Sequence, residues 1–159
     1  MKYLNQLFTL LLLLWVATSC SSSNNDEPQQ EEKIYDGLNY SPSAPNADQP
    51  LKITFKAPSS SALYGYTGEV YIHIGVVSDG TWMYVPADWS TYLAKCKMTK
   101  EDTNIWSITL SSSIRSWFGS GTTPVTKLGI VIRSSDGTKK GIDSDSFVTV
   151  TDDKYKAFT

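Results

Sequence analysis

A single histidine and two cysteines are all that 159 residues offer for zinc or thiol chemistry. Zinc sites are built from several His and Cys ligands, and a thiol nucleophile needs a base beside it, so neither is expected. The chain has no G-x-S-x-G turn, no phosphate-binding glycine loop and no His–Cys pairing. Glycoside hydrolysis needs two carboxylates flanking a cleft. Asp79, Asp88, Asp102 and Asp136 all lie in turn-like contexts, and no pairing can be argued among them. Asp143-Ser144-Asp145 clusters oxygens as a hard cation would require, but lacks the glycine and terminal glutamate of an EF-hand. It reads as solvated turn acids. A basic excess is also missing: 14 Lys+Arg stand against 16 Asp+Glu, a net charge of −2. Proteins that neutralise phosphates show a basic stripe, so nucleic acid is not an expected partner. The expectation is a protein without catalysis, metal or cofactor.

What the chain does have is an apolar start and many aromatics. Lys2 is followed by Leu7 to Val16, apolar except for Thr9, and then by Ala17-Thr18-Ser19-Cys20. A basic start, a short apolar run and small residues after it form a secretory signal. The run is shorter than the ~20 residues a membrane span needs. A buried helix of a cytosolic domain is the other reading, but the polar tract that follows could not cover it. Ala17-Thr18-Ser19-Cys20 resembles the lipobox of bacterial lipoproteins. That resemblance implies removal of residues 1–19, lipid on Cys20 and anchoring in the outer membrane, on the cell surface or on its periplasmic face. An ordinary cleaved signal with a free cysteine is the alternative. With Cys20 lipidated, Cys96 has no partner and is expected to be a small, buried or half-buried residue.

Residues 20–48 are rich in Ser, Asn, Pro and acid and nearly lack branched apolar side chains. Such a stretch buries too little to offset its ordering entropy, so a flexible linker is expected. From Gln49 the pattern changes to period two. Leu51, Ile53 and Phe55 alternate with Lys52, Thr54 and Lys56; Val70, Ile72, Ile74 and Val76 with Tyr71, His73 and Gly75; Trp106, Ile108 and Leu110 with Ser107 and Thr109; Leu128, Ile130 and Ile132 with Gly129, Val131 and Arg133; and Val148 and Val150 close the series. Alternation marks half-buried strands. Turn signals separate them at Pro58, Asp79-Gly80, Asp102 to Asn104, Gly119 to Pro124 and Asp136-Gly137. One helix-like piece, Ser111 to Phe118, puts Ile114, Trp117 and Phe118 on one side. The expected fold is all-β: an antiparallel, immunoglobulin-like β-sandwich of six to eight strands over residues 49–152, with one short helical turn. Residues 153–159 form a tail or a last edge strand.

If Val70, Ile72, Ile74 and Val76 take the core, Tyr71 and His73 point outward. Ser78-Asp79-Gly80 is short enough to join this strand to Thr81–Val85 as a hairpin. Met83 and Val85 then face inward, and Tyr71, His73, Trp82 and Tyr84 form one outer aromatic patch. The opposite assignment, with Trp82 and Tyr84 inside, is nearly as good. Trp89 follows in the next loop. Trp106 leads an apolar triplet and reads as core; Trp117 and Phe118 read as cover under the helical turn. Flat aromatic faces stack on the C–H faces of sugars, each contact adding ~0.5–1.5 kcal/mol.

Tyr66-Thr67-Gly68-Glu69-Val70-Tyr71-Ile72-His73-Ile74-Gly75-Val76, Trp82, Trp89, Trp106-Ser107-Ile108-Thr109-Leu110, Ser113-Ile114-Arg115 and Ile130 to Gly137 resemble a starch-binding immunoglobulin-like module. Such modules occur at the N-terminus of secreted bacterial α-amylases and are related to carbohydrate-binding module families 25 and 26. The resemblance spans Gln49 to Val150. It implies an α-glucan platform in which His73 and Trp82 match the family's histidine and tryptophan. The family's further tryptophan, in the loop after the late strand, has no counterpart in Asp136-Gly137-Thr138-Lys139-Lys140-Gly141; Lys139 or Lys140 supplies hydrogen bonds there, or is solvated turn charge. The expected ligand-binding set is His73, Trp82, Tyr84, Trp89, Tyr71 and Lys140, the expected partner an α-glucan polysaccharide, with an outer-membrane uptake complex as a further partner. His73 as a structural histidine, and the whole sandwich as an accessory lipoprotein docking on a transporter or enzyme, are the competing readings.

Overall fold

A computed structural model describes residues 33–35 and 37–156. The signal segment 1–19, Cys20 and residues 21–32 of the expected linker lie outside the described residues. The strands are β1 (Lys33–Tyr35), β2 (Leu38–Ser41), β3 (Leu51–Lys56), β4 (Val70–Ser78), β5 (Thr81–Met83), β6 (Thr99–Asp102), β7 (Ile105–Leu110), β8 (Lys127–Ser134) and β9 (Ser146–Thr149). Two short helices, α1 (Ile114–Phe118) and α2 (Asp153–Lys156), and a 3-10 turn at Ala94–Cys96 complete the described elements. One sheet has the order β1-β2-β3-β7-β6, the other β5-β4-β8-β9, and every strand pairing is antiparallel.

The core lies where the alternating apolar faces of the two sheets meet. Leu51, Ile53 and Phe55 of β3 stand opposite Leu110, Ile108 and Trp106 of β7. From the other sheet, Val70, Ile72, Ile74 and Val76 of β4 join Leu128, Ile130 and Ile132 of β8 in the same buried cluster. Trp106 is buried as expected, its ring stacked 6.3 Å from that of Phe55. Helix α1 is the expected helical turn. Ser113 caps it by accepting from the Ser116 amide, and Ile114 and Phe118 enter the core while Trp117 packs against it. Cys96 is a buried free thiol, and burial pushes its pKa up.

Two expectations change. The domain begins ahead of Gln49: β2 pairs with β3 along its whole length, and Leu38, Tyr40 and Ala47 are core residues. Polar composition around Leu38 and Tyr40 concealed a genuine alternation. Helix α2 takes the place of a tail or edge strand at Asp153, while seven strands, β3 to β9, fall within residues 49–152, inside the expected six to eight. The start and finish of the domain are also tied together. The buried Arg115 guanidinium donates from Nη2 to Asp152 Oδ1 at 2.7 Å and from Nε to Asp48 Oδ1 at 2.9 Å. Its Nη1 reaches the Thr123 carbonyl at 2.8 Å. Hydrogen bonds from Lys154 and Arg115 hold the Asp48 carboxyl below the usual carboxylate range. Burial opposes ionisation of Asp152, but the Val125 amide and Arg115 outweigh it and lower that carboxyl too.

Candidate aromatic binding site

The hairpin that delivers Trp82 is built by two residues. Asp79 and Gly80 both take positive φ, 48° and 76°, the conformation a two-residue hairpin turn demands. This sets the register Ser78↔Thr81, Val77↔Trp82 and Val76↔Met83. Trp82 therefore shares the outer face with Val77, Gly75 and His73, while Met83 packs against the core. The indole does not stand off the sheet. Gly75 and Gly129 are direct cross-strand partners on β4 and β8. A Cβ on Gly129 would come within 2.7 Å of Trp82 Cε2 and Cη2, and one on Gly75 within 3.2 Å of Cε3. Two missing side chains thus make the bed on which the indole lies, reaching from β5 across β4 to β8.

Three further rings surround it. His73 lies beside Trp82, with centroids 5.7 Å apart and planes 25° apart. Trp89 stands edge-on to His73, at 5.2 Å and 72°. Phe147 of β9, the register partner of Gly129, stands at 6.4 Å and 66° to Trp82. Two near-parallel rings form a floor and two steep ones stand beside it. A shallow pocket of about 220 Å³ lies here, lined by His73, Trp82, Trp89, Val131, Lys140 and Asp145.

Trp89 comes from the long connection between β5 and β6, which folds back over this face. Buried Arg133 anchors that connection, donating from Nη2 to the Thr91 carbonyl at 2.8 Å. Its guanidinium carbon lies 5.3 Å from the Trp89 ring centroid, as does Lys140 Nζ. Trp89 also rests on the Asp136-Gly137 turn, where a Cβ on Gly137 would meet its Nε1 at 2.9 Å. Asp136 ties that turn by accepting from Ser134 Oγ at 2.5 Å and from the Thr138 amide at 3.1 Å, which lowers its carboxyl pKa to about 2.

Burial and the nearby Arg133 cation hold His73 below its ordinary pKa, against the opposing pull of Asp145 and Asp88. The imidazole is neutral near pH 7 and offers one donor and one acceptor. Lys140 and Asp145 are both exposed at the pocket and form no ion pair with each other. The site therefore combines flat apolar faces with free donors and acceptors, which suits a ligand with one apolar face and a polar rim.

The structure brings together His73, Trp82, Trp89 and Lys140. It separates the other two expected residues. Tyr84 leaves the alternation because it adopts φ 54°, and its hydroxyl hydrogen-bonds Thr123 Oγ1 at 2.6 Å, away from the pocket. Tyr71 does face outward, but Tyr92 covers it at 5.8 Å and its hydroxyl donates to Glu69 Oε2 at 2.9 Å. It is buried and cannot act as a platform rim. Phe147 and Asp145 were not expected. The signal for Phe147 was its alternation with core Val148, which puts a ring on the wet face. No protein-family model matches the chain, and no curated protein matches it in sequence.

Proposed function

We propose that this protein is a non-catalytic, lipid-anchored lipoprotein of the outer membrane that holds α-glucan by aromatic stacking, on a sandwich of immunoglobulin-like type. The observation that carries the reading is Trp82 lying flat on the Gly75–Gly129 pair with His73 beside it. A stacking ring held flat on a sheet loses little conformational freedom when a sugar covers it. Lys140 and Asp145 at the pocket then bond hydroxyls, and neutral His73 both donates and accepts. A few such contacts correspond to a dissociation constant from about 1 mM to about 10 µM. That strength is useful when the membrane anchor and a polymeric ligand add avidity.

Affinity electrophoresis in soluble starch and calorimetry with maltooligosaccharides test this. Binding by the wild type, lost in Trp82→Ala with the fold retained, is the expected result. No binding by the wild type, or unchanged binding by the variant, sinks the reading. Tyr92, 61% exposed, and the neighbouring exposed Leu93 favour a second reading, in which the sandwich docks on a transporter or enzyme. Under that reading a stable partner is captured and added glucan does not displace it.

A further inference from the structure

The register divides the aromatic site into two unlike halves. His73 pairs with Val131, and Gly75 with Gly129, so the His73 row and the Trp82 bed are successive outward rows along β4 and β8. One flank of both rows is supplied by a single segment, Lys140 to Phe147. Lys140 bridges Arg133 at the end of β8, Asp145 immediately precedes β9, and Phe147 opposes Gly129. Beside the His73 row that flank is polar, with Lys140 and Asp145 lining the pocket. Beside the Trp82 bed it is apolar: Phe147 is 52% exposed, its ring centroid 6.4 Å from that of Trp82 and 6.0 Å from Lys127 Nζ. Trp89 closes the far end of the His73 row.

We propose that the site comprises two unequal subsites, which rests on the glycan reading above. A polar subsite over His73 and Val131, bounded by Trp89, Lys140 and Asp145, reads the hydroxyls of one sugar ring. An apolar subsite over Trp82, walled by Phe147, accepts the next ring by its shape alone. The two floor rings lie side by side, 5.7 Å apart on successive rows, so adjoining rings of one chain cover both. The ligand class is a glycan segment of at least two rings, selected on one ring and tolerated on the other. Phe147 is a specificity-determining residue for length and not for sugar identity.

The full chain is titrated with methyl α-glucoside, maltose and maltotriose by ligand-observed NMR, which reaches millimolar affinities. Phe147→Ala is expected to weaken the disaccharide and trisaccharide about 3-fold to 10-fold and to leave the monosaccharide unchanged. Asp145→Asn is expected to weaken all three by one common factor. Equal losses on all three ligands in Phe147→Ala, or no loss on any, overturn the two-subsite assignment while the glycan reading stands. Absence of binding by the wild type to every ligand overturns both.

Discussion

Lys52, Thr54 and Lys56 on β3, with Thr109 on β7, give the five-stranded sheet a wet outer surface of charge and hydroxyl. At corresponding outward positions the four-stranded sheet carries Tyr71, Gly75 and Val77 on β4 and Gly129, Val131 and Arg133 on β8, all buried, with His73 half-buried among them. The first surface ends in solvent. The second is roofed by Trp82 and by the β5–β6 connection that carries Trp89 and Tyr92. The difference teaches how a sheet keeps flat rings outside its core. Glycines remove the Cβ layer beneath the ring, and a buried arginine fixes the backbone of the loop above it. Trp106 and Trp82 mark the two outcomes, one sealed between the sheets and one laid on the back of a sheet.

Breaking that contrast begins with the two tryptophans. Trp106→Ala opens a cavity in the core and is expected to cost about 3–5 kcal/mol in urea unfolding. Trp82→Ala is expected to cost less than half of that while removing glycan binding. Equal destabilisation would mean that the outer ring is core in all but position. Next in size, Gly129→Ala puts a methyl group where the indole lies. The expected result is about 1–3 kcal/mol of overpacking cost and a roughly tenfold weaker ligand, with Trp82 visibly displaced in near-UV circular dichroism. An unchanged spectrum and affinity would show that the bed is not tight.

A smaller effect comes from pH. The His73 pKa lies below its ordinary value of 6.5 in the folded state. The unfolded chain therefore takes up its proton first as pH falls. The stability that His73 contributes is complete above 6.5 and is lost as pH drops from there through the folded value. Urea midpoints at pH 7.5 and pH 5 should differ more for wild type than for His73→Gln; identical pH dependence would dismiss the neutral-imidazole assignment. Least of all, Lys52→Ala on the opposite face is expected to stay within about 0.5 kcal/mol of wild type and to leave binding untouched.

Sequence pattern revealed most of the sandwich because each strand named by alternation turns an apolar row to the core. Leu51, Ile53 and Phe55, or Val70 to Val76, declare that row without help. It failed at β2, where Leu38 and Tyr40 sit among residues typical of a linker and only pairing with β3 explains their burial. For the site, pattern placed His73 and Trp82 together but left the side of Trp82 open. The residues that decide it, Gly75 and Gly129, are silent in a hydrophobicity pattern, and their pairing is a long-range fact. Tyr84 escaped because a single left-handed residue ends the alternation. Tyr71 was correctly turned outward, yet a ring from a loop 21 positions later covers it, which no local periodicity encodes.

The buried thiol of Cys96 has a practical use. It sits at the end of the connection that roofs the aromatic face, and its raised pKa keeps it protonated and unreactive while the domain is closed. Alkylation followed at the Cys96 peptide becomes a clock for opening of that roof. A ligand that grips the face from outside should slow the clock without ever touching the sulfur.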